Sequence, residues 1–339
     1  MTHATATQFT STIPPRVAAT FNYIAASTPS SLYRNGRVLL RRDRDGNDDG
    51  IQGFEPEPHA MALVDGRGLR GHRQATLARN GFELLSRPTA RPSLDFLDQR
   101  QVLDHYYPEC ARIVGQITGG RAYAFDHNVR VAGAKQRQLR IAGGQQVQEP
   151  IQVVHGDYTL TSGPQRLRDL ARPPGGNDTL RSVLAEGQAL VSEQMLTDAL
   201  SDRGRFAIVN LWRNIDAQPV AMHPLAVCDG QSVAPEDLVV FELHYQDRIG
   251  ENYFAKHAER HRWAWFPQMT RDEALLIKQW DSAGTLARSN GSASDASNPQ
   301  APCTFSFHSA FDDPATAPDA PDRQSIEVRC VVIYDKSPS

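Results

Sequence analysis

The 339-residue chain has only four cysteines, Cys110, Cys228, Cys303 and Cys330, far apart and without CxxC spacing. That sparsity excludes a small disulfide-stapled scaffold and points to a reduced, cytoplasmic setting. No window approaches the roughly 18 apolar residues that a membrane span requires, and no basic segment followed by an apolar run opens the chain. A membrane partner is therefore not expected. Charge of one sign is lacking as well, since 36 Lys+Arg stand against 39 Asp+Glu for a net −3. Such a chain has no general attraction for phosphate backbones, so nucleic acid is not an expected partner either. Lysine is scarce: only Lys135, Lys256, Lys278 and Lys336 are not arginine among the 36. Most of that bias is compositional, but arginine is also the side chain with a planar, permanently charged fork for carboxylates. No GxSxG elbow for a nucleophilic serine occurs. The pairs Gly119-Gly120, Gly143-Gly144 and Gly175-Gly176 lack the GxGxxG spacing of a dinucleotide or methyl-donor site.

What is present is enough apolar residue, 40% of the chain, to bury a sizeable core. Residues 1–93 read as an N-terminal arm and extension, rich in Thr, Ala and Ser at the start and interrupted by the charged run RRDRDGNDDG at 41–50. Apolar pairs near helical spacing over 94–114 predict two short helices divided by Pro108, and the stripe Leu180, Val183, Leu184, Leu190, Val191, Met195, Leu196, Leu200 predicts one helix over 178–202. Short β-branched or aromatic runs at 151–154, 206–212, 238–243, 262–266, 303–307 and 326–334 predict strands. The class expected is mainly β with flanking helices (α+β), a β-barrel or jelly-roll core over 94–334 with helices packed outside, within one domain of 1–339. Residues 283–302, AGTLARSNGSASDASNPQAP, form a low-complexity insertion that is expected to be flexible.

The chemistry starts from Val154-His155-Gly156-Asp157. Residues i and i+2 of a strand share a face, so His155 and Asp157 can chelate one metal from a rigid edge. A lone His-x-Asp is weak. Later, His308 closes the apolar run Phe305-Ser306-Phe307, and Arg323 and Ser325 open the last strand on one face. Two His and one carboxylate leave three open positions on Fe(II), which suits a bidentate 2-oxoacid plus dioxygen. Arg323 and Ser325 can then hold the distal carboxylate of 2-oxoglutarate. A rival metal site is His257 with His261, spaced i, i+4, although no Glu follows the first His as zinc hydrolases require.

The second half of the chain resembles the fungal and bacterial hydroxylase/desaturase group that includes the gibberellin desaturase of fungi, the AsaB-type enzymes and the cephalosporin 7-alpha-hydroxylase component. The resemblance runs, in order, through FDHNVR (125–130), VHGDYT (154–159), VNLWR (209–213), PLAVCD (224–229), HRWAWFP (261–267), IKQWDS (277–282), FHSAF (307–311) and RQSIEVR (323–329). It implies a double-stranded β-helix, mononuclear Fe(II), 2-oxoglutarate as cosubstrate with dioxygen, help from ascorbate in vitro, and oxidation of an unactivated C–H bond in a small metabolite. Carried over by position, His155, Asp157 and His308 would be the iron ligands, with Arg323 and Ser325 the clamp. Arg329, on the same strand face as Arg323, is either the clamp itself or a residue behind it. The longer N-terminal third and the 283–302 insertion depart from the family pattern and bear on the substrate. His127, Arg130, Asn210, Trp212 and Arg213 are polar or aromatic groups beside apolar runs and are candidate contacts to substrate or cosubstrate. Two other readings follow from the residues: a jelly-roll that binds a small ligand without turning it over, and a zinc hydrolase using His257 and His261.

Overall fold

In a computed structural model of the chain, residues 16–335 are described apart from 43–47, 70, 134–140, 143–146, 177, 247 and 288–299. Most of the insertion expected at 283–302 thus lies outside the described residues, as do residues 1–15 of the expected arm. The strands are β1 (Arg16–Ile24), β2 (Leu39–Arg42), β3 (Asp48–Gln52), β4 (Pro56–Asp65), β5 (Phe82–Ser86), β6 (Arg121–Val131), β7 (His155–Gly156), β8 (Phe206–Asn214), β9 (Leu225–Cys228), β10 (Leu238–His244), β11 (Ile249–Ala255), β12 (Trp263–Trp265), β13 (Glu273–Asp281), β14 (His308–Ala310) and β15 (Gln324–Ile333). They form a ten-stranded sheet, β1-β4-β12-β9-β14-β7-β11-β10-β2-β3, and a five-stranded sheet, β5-β13-β8-β15-β6. This is the mainly β, jelly-roll architecture that the turn-bounded apolar runs predict.

The central strands of the smaller sheet are covered on both faces. All nine residues of β8 are buried, because one face lines the space between the sheets and the other receives helix α1 (Tyr107–Thr118), whose Tyr107, Cys110, Ile113 and Val114 are buried. Pro108 does not divide two helices. It stands at the start of α1, where its missing N–H costs nothing, and a π-helical turn over Val102–Tyr106 precedes it.

Further expectations change. Residues 16–86 are not an extension beside the barrel: they supply β1 to β4 to the large sheet and β5 to the small one, with Phe21 and Tyr23 of β1 in the main core. The predicted helix over 178–202 breaks into a 3-10 turn (Thr179–Ser182) and α3 (Glu193–Leu200), after α2 at Ser162–Leu170. Gly187, at a left-handed φ of 77°, interrupts it. Ser192 then starts α3 afresh by accepting from the Met195 N–H. The strand expected at 303–307 begins instead at His308, and that expected at 151–154 at His155.

Candidate metal centre

β14 and β7 are antiparallel neighbours in which His308 and His155 are direct partners. That pairing lays the two imidazoles side by side, ring centroids 4.3 Å apart. Asp157 follows β7 two residues beyond His155. Its Oδ1 lies 3.7 Å from His155 Nε2 and 3.8 Å from His308 Nε2. Candidate ligand atoms of all three residues lie within 4.8 Å of one another, the one such cluster among the described residues. These separations are too long for hydrogen bonds and short enough to share one ion. His155 Nδ1 donates to the Val153 carbonyl at 2.7 Å, which leaves its Nε2 bare and fixes the ring. Burial, reinforced by His308, pushes the His155 pKa down to about 4, and burial lowers His308 also. Neutral imidazoles beside a carboxylate are a donor set that fits a divalent transition metal.

Asp157 is gripped on every side but one. Its Oδ2 accepts from Asn210 Nδ2 at 3.0 Å and faces Arg329 Nη2 at 3.5 Å, while its N–H donates to Gln279 Oε1 at 3.3 Å. Only Oδ1 faces the histidines. Burial alone would raise this carboxyl, but Arg329, the two imidazoles and Asn210 outweigh it and hold it well below the usual carboxylate range. Gln279 reaches Asp157 because it is the extra residue of a bulge between Lys278 and Trp280 on β13.

Period two sorts the remaining candidates. On β15 the residues Ser325, Glu327 and Arg329 pair with Arg130, Asn128 and Asp126 of β6 and with Asn214, Trp212 and Asn210 of β8. Arg130, Trp212, Arg323, Glu327, His155 and His308 line one cavity. His127 and Arg213 belong to the opposite face. His127 Nδ1 meets the Tyr107 hydroxyl of α1 at 2.9 Å. Arg213 donates to the Tyr106 hydroxyl and to the carbonyls of Arg87 and Arg271. Both tie the helices to the sheet and do not reach the cavity, which corrects their expected contact with a ligand.

The two arginines left open by the sequence behave differently. Arg329 is committed to three carboxylates, Asp126 and Glu327 at 3.0 Å each and Asp157. Arg323 is 2% exposed, with its Nε buried and unpartnered, as is Ser325 Oγ. Its Nη1 donates to the His223 carbonyl at 2.5 Å. The rival zinc pair does not form: His261 is held by Asp237 at 3.1 Å and the Tyr23 hydroxyl at 3.2 Å, and His257 stacks on His59. Gln279 and Asp126 carry no signal of their role in the sequence, whereas the even spacing 323, 325, 327, 329 places Glu327 on the site's face.

The model of the oxidoreductase/YMDC permease-like domain matches residues 22–333. An uncharacterized protein from the dcmA 3′ region of Methylophilus leisingeri is 43% identical over 58% of this chain and 89% of its own length. The alpha-ketoglutarate-dependent dioxygenase tstK of Talaromyces stipitatus is 29% identical over 90% of this chain and all of its own. Among solved structures, the iron and alpha-ketoglutarate-dependent endoperoxidase NvfI has the same fold, with a TM-score of 0.68 at 22% identity, covering 95% of this chain and 99% of that one.

Proposed function

The chain belongs to the oxidoreductase/YMDC permease-like domain family and to the Fe(II)/2-oxoglutarate-dependent dioxygenases, and from that premise we propose that it oxidises an unactivated C–H bond of a small secondary-metabolite or amino-acid-derived substrate. His155, Asp157 and His308 would hold the iron, and Arg323 with Ser325 the distal carboxylate of 2-oxoglutarate. The observation that carries this reading is the convergence of two bare imidazole nitrogens and one carboxylate oxygen, none hydrogen-bonded to another, beside the buried Arg323, whose Nε has no partner, and the buried Ser325 hydroxyl, which has none either.

When bound, iron with 2-oxoglutarate and dioxygen supplies an oxidant strong enough to remove hydrogen from such a bond, with succinate and carbon dioxide as the cosubstrate's products. The chain's own part is to hold and to shield. Val153 fixes the plane of His155, while Asn210 and Arg329 occupy Asp157 Oδ2 and keep the carboxylate ionised. Ile151, Leu225 and Ala310 give the same cavity an apolar side, which favours an uncharged C–H-bearing group over water. Hydroxylation, desaturation and ring closure all begin with that hydrogen removal.

With Fe(II), ascorbate and 2-oxoglutarate the purified protein is expected to form succinate, and His155→Ala to abolish it. Succinate formation that survives in His155→Ala would overturn the assignment.

A further inference from the structure

Arg130 pairs directly with Ser325 across the β6–β15 ladder, so it stands beside the proposed clamp on the cavity face. Among the described residues, neither Arg130 nor Arg323 has a carboxylate within ion-pair distance, whereas Arg329 has three. Glu327 lines the same cavity, but its carboxylate is taken by Arg329 at 3.0 Å. Arg130 Nη1 donates to the Glu149 carbonyl at 3.0 Å, a bond that orients the fork without neutralising it. Two guanidinium groups in one cavity wall, Arg323 buried and Arg130 partly exposed, repel each other unless an anion joins them. At Arg323 burial and then the Arg130 charge, against the opposing charge of Glu327, push the pKa down to about 9.

The ladder partner of Arg130 points to the anion: it is Ser325, whose hydroxyl belongs to the proposed clamp, and Arg130 shares one cavity with Arg323. We infer that Arg130 is a third arm of the clamp, which with Arg323 and Ser325 receives the distal carboxylate of 2-oxoglutarate and so serves the cosubstrate and not the substrate. This rests on the proposed dioxygenase reading. A carboxylate with four lone-pair sites has room for two guanidinium forks and a hydroxyl.

Calorimetric titration into the Mn(II)-loaded protein tests it without turnover. Arg130→Gln is expected to weaken 2-oxoglutarate binding roughly 10- to 100-fold, the range of one charge-assisted hydrogen bond. With 2-oxovalerate, which has the same chain length and no distal carboxylate, the variant and the wild type are expected to bind within about twofold of each other. Unchanged 2-oxoglutarate affinity, or an equal loss for both ligands with Mn(II) binding intact, overturns the inference. Should Arg130→Gln lose Mn(II) binding, Arg130→Lys is read in its place. It keeps the charge without the fork, and a severalfold loss is expected for 2-oxoglutarate alone; no loss, or a loss for both ligands, overturns the inference. If the wild type itself binds no 2-oxoglutarate, the dioxygenase reading falls, and not merely the role of Arg130.

Discussion

At the scale of single residues the centre is defined by what each donor atom is not doing. Asp157 spends Oδ2 on Asn210 and Arg329, and His155 spends Nδ1 on Val153, so one oxygen and one nitrogen are turned to the same point. The lowered His155 pKa makes a pH prediction for the metal-free protein. Its folded value, about 4, lies below the ordinary 6.5, so between those values the unfolded chain binds more protons than the folded one. Stability therefore rises with pH through that window and is lost on acidification from about 6.5 to 4, on the order of 3 kcal/mol from this residue. Denaturant unfolding between pH 4 and 7 is expected to show this dependence, and His155→Phe to reduce it. His155 and Asp157 were legible in the sequence because a two-residue spacing on a strand carries its own geometry. The role of Arg329 was not, because a guanidinium's use depends on which carboxylates the fold brings to it, here Asp126, Asp157 and Glu327.

At the scale of elements the governing fact is the period of two along β15, which sends Ser325, Glu327 and Arg329 inward and packs Ile326, Val328 and Cys330 on the other side. The same rule on β6 separates Arg130 from His127, and on β8 Asn210 and Trp212 from Arg213. Bulges break the period by one residue, so Gln279 could not be assigned a face in advance. The end of β13 also carries a buried charge cluster. Asp281 meets Lys278 Nζ at 2.9 Å and Arg205 Nη2 at 2.7 Å, with Asp281 and Lys278 both almost wholly buried. Asp281→Ala strands the Lys278 ammonium in the interior and is expected to cost about 3–5 kcal/mol, read as a lower denaturation midpoint. The stripe at 178–202 illustrates the converse failure. Its apolar residues except the exposed Val183 still pack on the core, but in two short pieces, because packing of a stripe does not require an unbroken helix and Gly187 offers a place to turn.

For the whole molecule, the centre couples the two sheets: β7 and β14 bring the histidines from one, while β8, β13 and β15 brace Asp157 from the other. Ligands that bind only this assembled arrangement stabilise it by mass action. Mn(II) with 2-oxoglutarate at about 100 times its dissociation constant is expected to add about 2.7 kcal/mol, seen as a raised thermal midpoint that His308→Ala removes. Among the described residues no helix is long and apolar enough to cross a membrane. The β-rich class, the His-x-Asp edge, the late histidine and the arginine-serine pair were all determined by the sequence itself, because strand periodicity and ligand chemistry are local properties. Only the tertiary structure decided that residues 16–86 complete both sheets, that Arg329 backs Asp157 while Arg323 and Arg130 have no carboxylate within ion-pair distance among the described residues, and that His127 and Arg213 serve the helices. Those outcomes depend on strand order and on which side chains share a buried volume, and neither is encoded within any short stretch of chain.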